Sequence, residues 1–189
     1  MRKFTILVDM DDTLVHTVRT WVAWLNAKHN LNVNYDDIKD WDMKLAFPTL
    51  TAEEIYGPLA LVDFWQTVPP KHDAQVFLRL LMEEGHKIYI CSSSHYLTVK
   101  YKIHECLFKY FNYLNPNQLI FLKDKQLLNA DFLIDDAIHN LVDASYRGIL
   151  ITTPYNKHVN EKELEPDMVR VNNWEEIYNF IKEQSNDEI

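Results

Sequence analysis

The sequence predicts an α/β fold: a doubly wound parallel sheet with a small helical cap inserted after the first strand. Three observations predict it. Short apolar runs bounded by turn residues recur along the chain, and helical patterns fill the intervals between them. One interval, Leu14 to Pro70, holds helical patterns but no convincing strand, and is too long for an ordinary connection. The 189 residues are 47% hydrophobic and 25% charged, which supplies one real core and excludes disorder and long coiled coils.

The elements follow in order. Phe4 to Val8 (FTILV) has no polar face and reads as a buried strand. In the long interval, Leu14, Val18, Trp21, Val22 and Leu25 share one helical face, and Thr51-Ala52-Glu53-Glu54 is a capping box that opens another helix. Aromatics are dense there: Trp21, Trp24, Tyr35, Trp41, Phe47, Phe64 and Trp65. Asp73 to Glu84 reads as a helix with an acidic N-cap and a stop at Gly85. Ile88 to Cys91 is the next strand. Leu97 to Phe111 reads as a helix with Leu97, Tyr101, His104, Leu107, Phe108 and Phe111 on one face. Leu119 to Leu122 and Phe132 to Ile134 are strands. Ile138 to Arg147 reads as a helix stopped by Gly148, before strands at Ile149 to Ile151 and Met168 to Val171. Trp174 to Glu183 is the closing helix, and the terminal SNDEI is expected to fray. Residues 1–13 and 71–189 then form the core, and 14–70 the cap.

Composition narrows the function. Glycine occurs three times, at 57, 85 and 148, so neither G-x-G-x-x-G nor the phosphate-binding P-loop can be written in this chain. Gly57 precedes a proline and reads as a turn. With 19 Lys and Arg against 28 Asp and Glu, the net charge of −9 disfavours nucleic acid polymers and anionic membranes as partners. Cys91 and Cys106 match neither a metal spacing nor a disulfide framework, and Cys91 reads as a buried reduced thiol. The N-terminal apolar run is too short for a signal peptide and no 18-residue apolar run exists, which points to the cytoplasm.

Chemistry concentrates where strands end. Asp9-Met10-Asp11-Asp12-Thr13 follows the first strand, and three carboxylates in four positions repel one another unless a cation sits among them. Asp135-Asp136 follows FLI in the same relation. Ser92, Ser93 and Ser94 follow IYIC, and Lys123 and Lys125 follow LIFL. Each alone has a plainer role as cap, turn or solvated charge. Together they supply a carboxylate nucleophile, a neighbouring acid/base, hard oxygen ligands for Mg²⁺ and donors for phosphoryl oxygens. Ligands of doubly wound sheets bind at these carboxyl ends.

These residues resemble the four motifs of the haloacid dehalogenase superfamily of phosphohydrolases. Within it, VDMDDTL, KIYICSSS, DKQLLNADFLIDD and Val171-Asn172-Asn173-Trp174 look like the 5′(3′)-deoxyribonucleotidases, a likeness running from Phe4 to about Phe180. The resemblance implies that Asp9 attacks phosphorus to form an aspartyl-phosphate and that Asp11 is the acid/base. It places Thr13, as the residue orienting the motif loop, among the substrate-binding residues with Ser92, Ser93 and Lys125. Lys123 is the alternative to Lys125, which is preferred because the Asp-Lys pair stands ten residues before Asp135, as in the nucleotidases. The metal residues are Asp9, Asp11 (through its backbone carbonyl), Asp135 and Asp136, the last bonding a metal-bound water or its neighbours. Asp12 stands where many members have glycine. The superfamily's insertion after the first strand forms a cap, matching 14–70.

A nucleotidase needs a platform for its base, and Trp24, Phe64 and Trp65 are the aromatics set at the substrate, although packing of cap on core explains any one of them alone. His16, His95 and His139 read as surface or capping histidines. The expected function is therefore Mg²⁺-dependent phosphomonoester hydrolysis with a (deoxy)nucleoside monophosphate as substrate; a homodimer is compatible with it. Two alternatives are a phosphatase for sugar phosphates and a phospho-acceptor receiver domain. A receiver carries its acceptor Asp on a later strand and has no cap insertion. A catalytically dead binding module is disfavoured because every motif position is filled.

Overall fold

The computed structural model describes residues 1–96, 98–160, 164 and 166–186. Its strands are β1 Thr5–Val8, β2 Lys87–Ser92, β3 Leu119–Phe121, β4 Phe132–Asp135, β5 Arg147–Ile151 and β6 Val169–Val171. Each falls on a predicted apolar run. They form one sheet in the order β3-β2-β1-β4-β5-β6, with every neighbouring pair parallel. The chain winds outward from β1 to β3, then returns to the middle and winds the other way from β4. The crevice at such a reversal is where doubly wound sheets bind ligands. Here Val8 pairs with Ile134, and the Asp9 N–H donates to the Ile134 carbonyl at 2.8 Å. Register alone therefore sets Asp9 beside Asp135.

Alternate β1 residues feed two cores. Ile6 and Val8 join a large cluster that includes Leu78, Leu81, Ile177 and Ile181, while Leu7 packs with Cys91, Leu133, Leu141, Tyr146 and Leu150 on the other face. Between β1 and β2 lie α1 Thr17–His29, α2 Met43–Ala46, α3 Ala52–Tyr56 and α4 Val62–Thr67, followed by α5 Ala74–Glu83. The predicted face of α1 is buried, and Thr51 and Glu54 form the capping box of α3. Trp21, Phe47, Ile55 and Phe64 belong to the same buried cluster as Ile6 and Val8, so this segment packs directly on the sheet. The closing helix is α8, Trp174–Asn186. Both cysteines are free and buried, and burial pushes their thiols up, to about 11 for Cys91 and about 12 for Cys106. Among the described residues no helix is long and apolar enough to cross a membrane.

Several expectations are corrected. The helix expected over Ile138 to Arg147 is a single 3₁₀ turn, Ile138–Asn140. The Asn140 side chain donates to Asp135, the Ser145 hydroxyl donates to the Leu128 carbonyl, and Asp143 adopts a left-handed φ of 54°. Gly148 stops no helix: it lies inside β5 opposite Leu133, where a Cβ would stand 3.0 Å from the Leu141 Cβ. Close packing is what requires glycine there. Gly57 is helical, with φ −52°, and links α3 to a 3₁₀ turn. Gly85 does end α5 with φ +93°, but Asp73 is itself left-handed and its side chain makes no capping bond. The long helix after β2 is broken into α6 Val99–Tyr101, a π-helical stretch Lys102–Leu107 and α7 Phe108–Tyr110. Wider π turns rotate the buried face onto Lys102, Ile103, Cys106 and Leu107 and leave His104 exposed. Leu97 lies outside the described residues, as do the last three of SNDEI. Ser185 does not fray; it is buried in α8, and its carbonyl accepts the Arg2 N–H at 3.1 Å.

Candidate active site

The acids after β1 and at the end of β4 converge. Asp9, Asp135 and Asp136 are buried, and each offers a carboxylate oxygen within 4.8 Å of the others. Lys125 reaches in from the turn after β3, 1% exposed, and its Nζ donates at 2.6 Å to both Asp9 Oδ1 and Asp135 Oδ2. Asp135 also accepts from the Ala137 N–H at 2.8 Å and from Asn140 Nδ2 at 3.0 Å. Asp136 accepts from the Tyr155 hydroxyl and, at 3.5 Å, from Thr13 Oγ1.

Burial raises the Asp9 carboxyl above the ordinary range, against the pull of Lys125. It raises Asp136 well above that range too, with Asp135, Asp9 and Asp12 adding to it. Burial works the other way on Lys125, but the carboxylates of Asp9 and Asp135 prevail and hold its ammonium charged. Three buried carboxylates facing one ammonium form an electron-rich set of hard oxygen donors, which fits a divalent cation.

The Asp11 carboxylate stands outside that cluster. Its Oδ1 accepts from Thr17 Oγ1 at 2.7 Å, and its Oδ2 is ion-paired with Lys102. Lys102 Nζ donates further to Ser92 Oγ at 2.7 Å and Ser94 Oγ at 2.8 Å, and lies 5.6 Å from the Trp65 ring centre. The π-helical stretch is what turns this lysine inward. Asp12 takes a third direction. Its φ of 49° explains why glycine suits this position, and its Oδ2 caps α1 by accepting the Val18 N–H at 3.0 Å. Burial, opposed mainly by Lys71, pushes Asp12 up to about 7.

Two pockets open from these residues. One is lined by Asp9, Lys125, Asp135, Asp136, His139 and Asn140, with Lys123 beside them. The second, about 360 Å³, is lined by Trp21, Tyr56, Leu59, Trp65, His95 and Lys102, a size suited to a small molecule. Asp11, Trp41 and Ser93 line both, so the acidic and aromatic pockets are continuous.

Asp9, Asp11, Ser92, Ser93, Lys125, Asp135 and Asp136 are thus brought together, and Trp65 stands beside them. Three of the expected substrate-binding residues lie away from these two pockets. Thr13 is fully buried, facing Asp136 and accepting Trp174 Nε1–H on its carbonyl at 2.9 Å, so it braces the loop from behind. Phe64 is fully buried between Trp24 and Trp65, with ring centres 5.7 and 5.1 Å away. Adjacent helical side chains diverge by about 100°, so only one of Phe64 and Trp65 can face the site. Trp24 lines a separate groove with His16 and Arg19; it lies seven residues past Thr17, roughly 10 Å along α1 from the end that meets the acids.

Sequence reasoning missed Lys102, Asn140, Tyr155 and the pocket positions of Trp41 and Tyr56. For Lys102 a signal existed: it sits three residues after Val99 and four before Cys106, a lysine on an otherwise apolar stripe. For Asn140 and Tyr155 none did.

The comparisons agree with this geometry. Residues 2–185 match the family model described as "5′ nucleotidase, deoxy (Pyrimidine), cytosolic type C protein". The chain is 30% identical over 177 residues to a 5′(3′)-deoxyribonucleotidase of Bacillus subtilis, covering 93% of this chain and 96% of that one. It is 30% identical over 176 residues to a 5′(3′)-deoxyribonucleotidase of Clostridium acetobutylicum, covering 93% of each. Among solved structures, it resembles a HAD family hydrolase from Deinococcus radiodurans, crystallised with phosphate and sodium, with a TM-score of 0.64 at 14% identity over 95% of each chain. It also resembles the HAD-hydrolase YfnB of Bacillus subtilis bound to magnesium, with a TM-score of 0.58 at 16% identity over 96% of this chain and 99% of that one. Those two share the fold. The sheet order, the paired acids and the match along nearly the whole sequence lead to one assignment: the chain belongs to the 5′(3′)-deoxyribonucleotidase family and has the fold of haloacid dehalogenase-like hydrolases.

Proposed function

We propose that this chain is a Mg²⁺-dependent nucleotidase that hydrolyses (deoxy)nucleoside monophosphates, with Asp9 as nucleophile and Asp11 as acid/base. The observation that carries the reading is the continuity of the two pockets: buried acids and Lys125 at one end, Trp21, Trp41, Tyr56 and Trp65 at the other, and Asp11 at the join. Asp9, Asp135 and Asp136, with the Asp11 carbonyl, would hold Mg²⁺, which supplies the positive charge that lets a phosphate dianion approach three carboxylates.

The remaining chemistry belongs to the chain's own residues. An Asp9 oxygen attacks phosphorus while the ester P–O bond breaks, and the Asp11 carboxyl gives its proton to the departing nucleoside oxygen. The Asp11 carboxylate then takes a proton from the water that attacks the aspartyl-phosphate, releasing inorganic phosphate and restoring Asp9. Lys102 and Thr17 fix Asp11, Lys125 fixes the Asp9 carboxylate and with Ser93 serves the phosphoryl oxygens, and Lys123 stands beside them. The aromatic pocket stacks the base, and the helices of 14–70 close over it as a cap.

The test is release of inorganic phosphate from a panel of nucleoside monophosphates and sugar phosphates, with Mg²⁺ and with chelator. Turnover of nucleotides that needs metal and is lost in Asp9→Asn is expected. Turnover surviving Asp9→Asn removes the nucleophile assignment, and preference for sugar phosphates across the panel removes the substrate class.

A further inference from the structure

The turn after β5 reads Thr153-Pro154-Tyr155-Asn156-Lys157, and the polar side chains of Tyr155 and Asn156 are both buried in it. Asn156 uses every hydrogen-bonding position of its amide. Its Nδ2 donates to the Asp136 carbonyl at 2.7 Å and to the Ile151 carbonyl at 2.8 Å, which ties the residue just past β4 to the end of β5. Its Oδ1 accepts from the Thr153 N–H at 2.9 Å and from Arg170 Nη1 at 3.2 Å. Arg170 stands on the edge strand β6 and directs its Nη2 to the carbonyls of Asn156, at 3.3 Å, and Val159, at 2.9 Å. One guanidinium thus holds the turn, and the turn holds the Asp136 backbone. Tyr155 holds the side chain, because its hydroxyl donates to Asp136 Oδ2.

Asp136 depends on this turn more than its neighbours do. Asp9 and Asp135 both accept from Lys125 at 2.6 Å, and Asp135 has Ala137 and Asn140 besides. Among the described residues Asp136 forms no ion pair. Its other side-chain donor, Thr13 Oγ1, stands at 3.5 Å, longer than such bonds usually run. The Tyr155 phenol is therefore what fixes this carboxylate. A carboxylate with one oxygen bonded loses freedom to rotate, so its other oxygen keeps one direction. Removing a group that orients a metal ligand in this way typically weakens metal binding about 10- to 100-fold. Neither Tyr155 nor Asn156 lines the pocket of Asp9 and Asp135, so both act there only through Asp136.

We propose that Tyr155 and Asn156 are positioning residues for the divalent cation: Tyr155 aims the Asp136 carboxylate, Asn156 sets its backbone, and Arg170 locks the turn that carries both. The inference rests on the cation proposed for Asp9, Asp135 and Asp136.

Calorimetric titration of the substrate-free protein with MgCl₂ tests it, with the Mg²⁺-induced rise in Tm as a second readout. Tyr155→Phe keeps the ring and removes only the hydroxyl. It should weaken Mg²⁺ binding about 10- to 100-fold and raise the Mg²⁺ concentration for half-maximal turnover by the same factor. Arg170→Lys keeps the charge but not the fork, and should weaken Mg²⁺ binding about two- to tenfold. Tyr35→Phe is the control. That phenol also lies near Asp12 and Asp136 but makes no hydrogen bond with a described residue, so its loss should change Mg²⁺ affinity less than about twofold. A Tyr155 that only packs would lower the metal-free Tm and leave the Mg²⁺ affinity of the folded protein as it is. Affinity in Tyr155→Phe within about twofold of wild type, or an equal loss in Tyr35→Phe, would overturn the proposal. Should Tyr155→Phe fail to fold, unchanged affinity in Arg170→Lys overturns it by the same titration. Wild-type protein that binds no Mg²⁺ removes the cation reading and this inference with it. Wild type and Tyr155→Phe binding equally well remove this inference alone and leave the hydrolytic reading standing.

Discussion

Replacing Lys125 with methionine isolates what one ammonium does for the buried acids. Methionine keeps most of the stem's volume, so the loss is electrostatic rather than a cavity. Lys125 donates at 2.6 Å to Asp9 and to Asp135, all three side chains being almost wholly enclosed. Stranding one partner of a buried ion pair costs about 3–5 kcal/mol. A stranded carboxylate can limit that cost by taking a proton. Burial has already raised Asp9, which makes that proton cheaper, so the loss lies at the lower end, about 3 kcal/mol, and at 2–4 °C per kcal/mol the metal-free Tm should fall by roughly 6–12 °C. At pH 5 protonation is easier still, so the deficit should shrink. Thermal and urea unfolding of both proteins in chelator, at pH 7 and pH 5, measures this. A deficit under about 1 kcal/mol at pH 7, or one that is the same at pH 5, would refute the claim that Lys125 neutralises buried carboxylates.

Other outcomes follow from the same geometry. Asp9, Asp12 and Asp136 are all raised by burial, Asp12 to about 7, so the folded state binds protons more tightly than the unfolded chain between pH 4 and 7. That stability is full below about pH 4 and is lost as pH rises through 7; His16, lowered to about 4, and His86, also lowered by burial, slope the other way, but they are two groups against three. Metal-free protein should therefore melt higher at pH 5 than at pH 8, and a flat or rising Tm profile would contradict this. Lys102→Met should lower kcat about 10- to 100-fold with little change in KM, because Lys102 fixes Asp11 and Ser92 rather than substrate; a rate within twofold of wild type removes that role. Trp65→Ala should raise KM for nucleoside monophosphates about 5- to 100-fold, with partial recovery in Trp65→Phe, and should spare a small non-aromatic ester. Equal losses on both substrates would mean that Trp65 only packs.

Much of the fold was written locally. Strands β1 and β4 are apolar on both faces, and only a strand covered on both sides of a sheet tolerates that. The α3 capping box is a four-residue pattern whose bonds close within itself. The errors arose where a local signal had a distant cause. Gly148 looked like a helix stop because glycine often is one, but Leu141 is what excludes a side chain there. The buried face after β2 was misjudged because a π turn changes the periodicity on which the expectation rested.

The sequence by itself determined the chemical inventory and its location: acids, serines and lysines at the carboxyl ends of strands, and no glycine loop to hold phosphate. Those follow from residue order and the period of apolar positions. Only the tertiary structure decided which of them meet. The sheet places β1 beside β4, so Asp9 faces Asp135, and the bend after β2 brings Lys102 to Asp11 across 91 residues of chain. It also decided that Trp65, Trp41 and Tyr56 line the aromatic pocket while Phe64 and Trp24 turn away. Strand order and helix rotation are set by packing between distant segments, and no window of neighbouring residues carries that information.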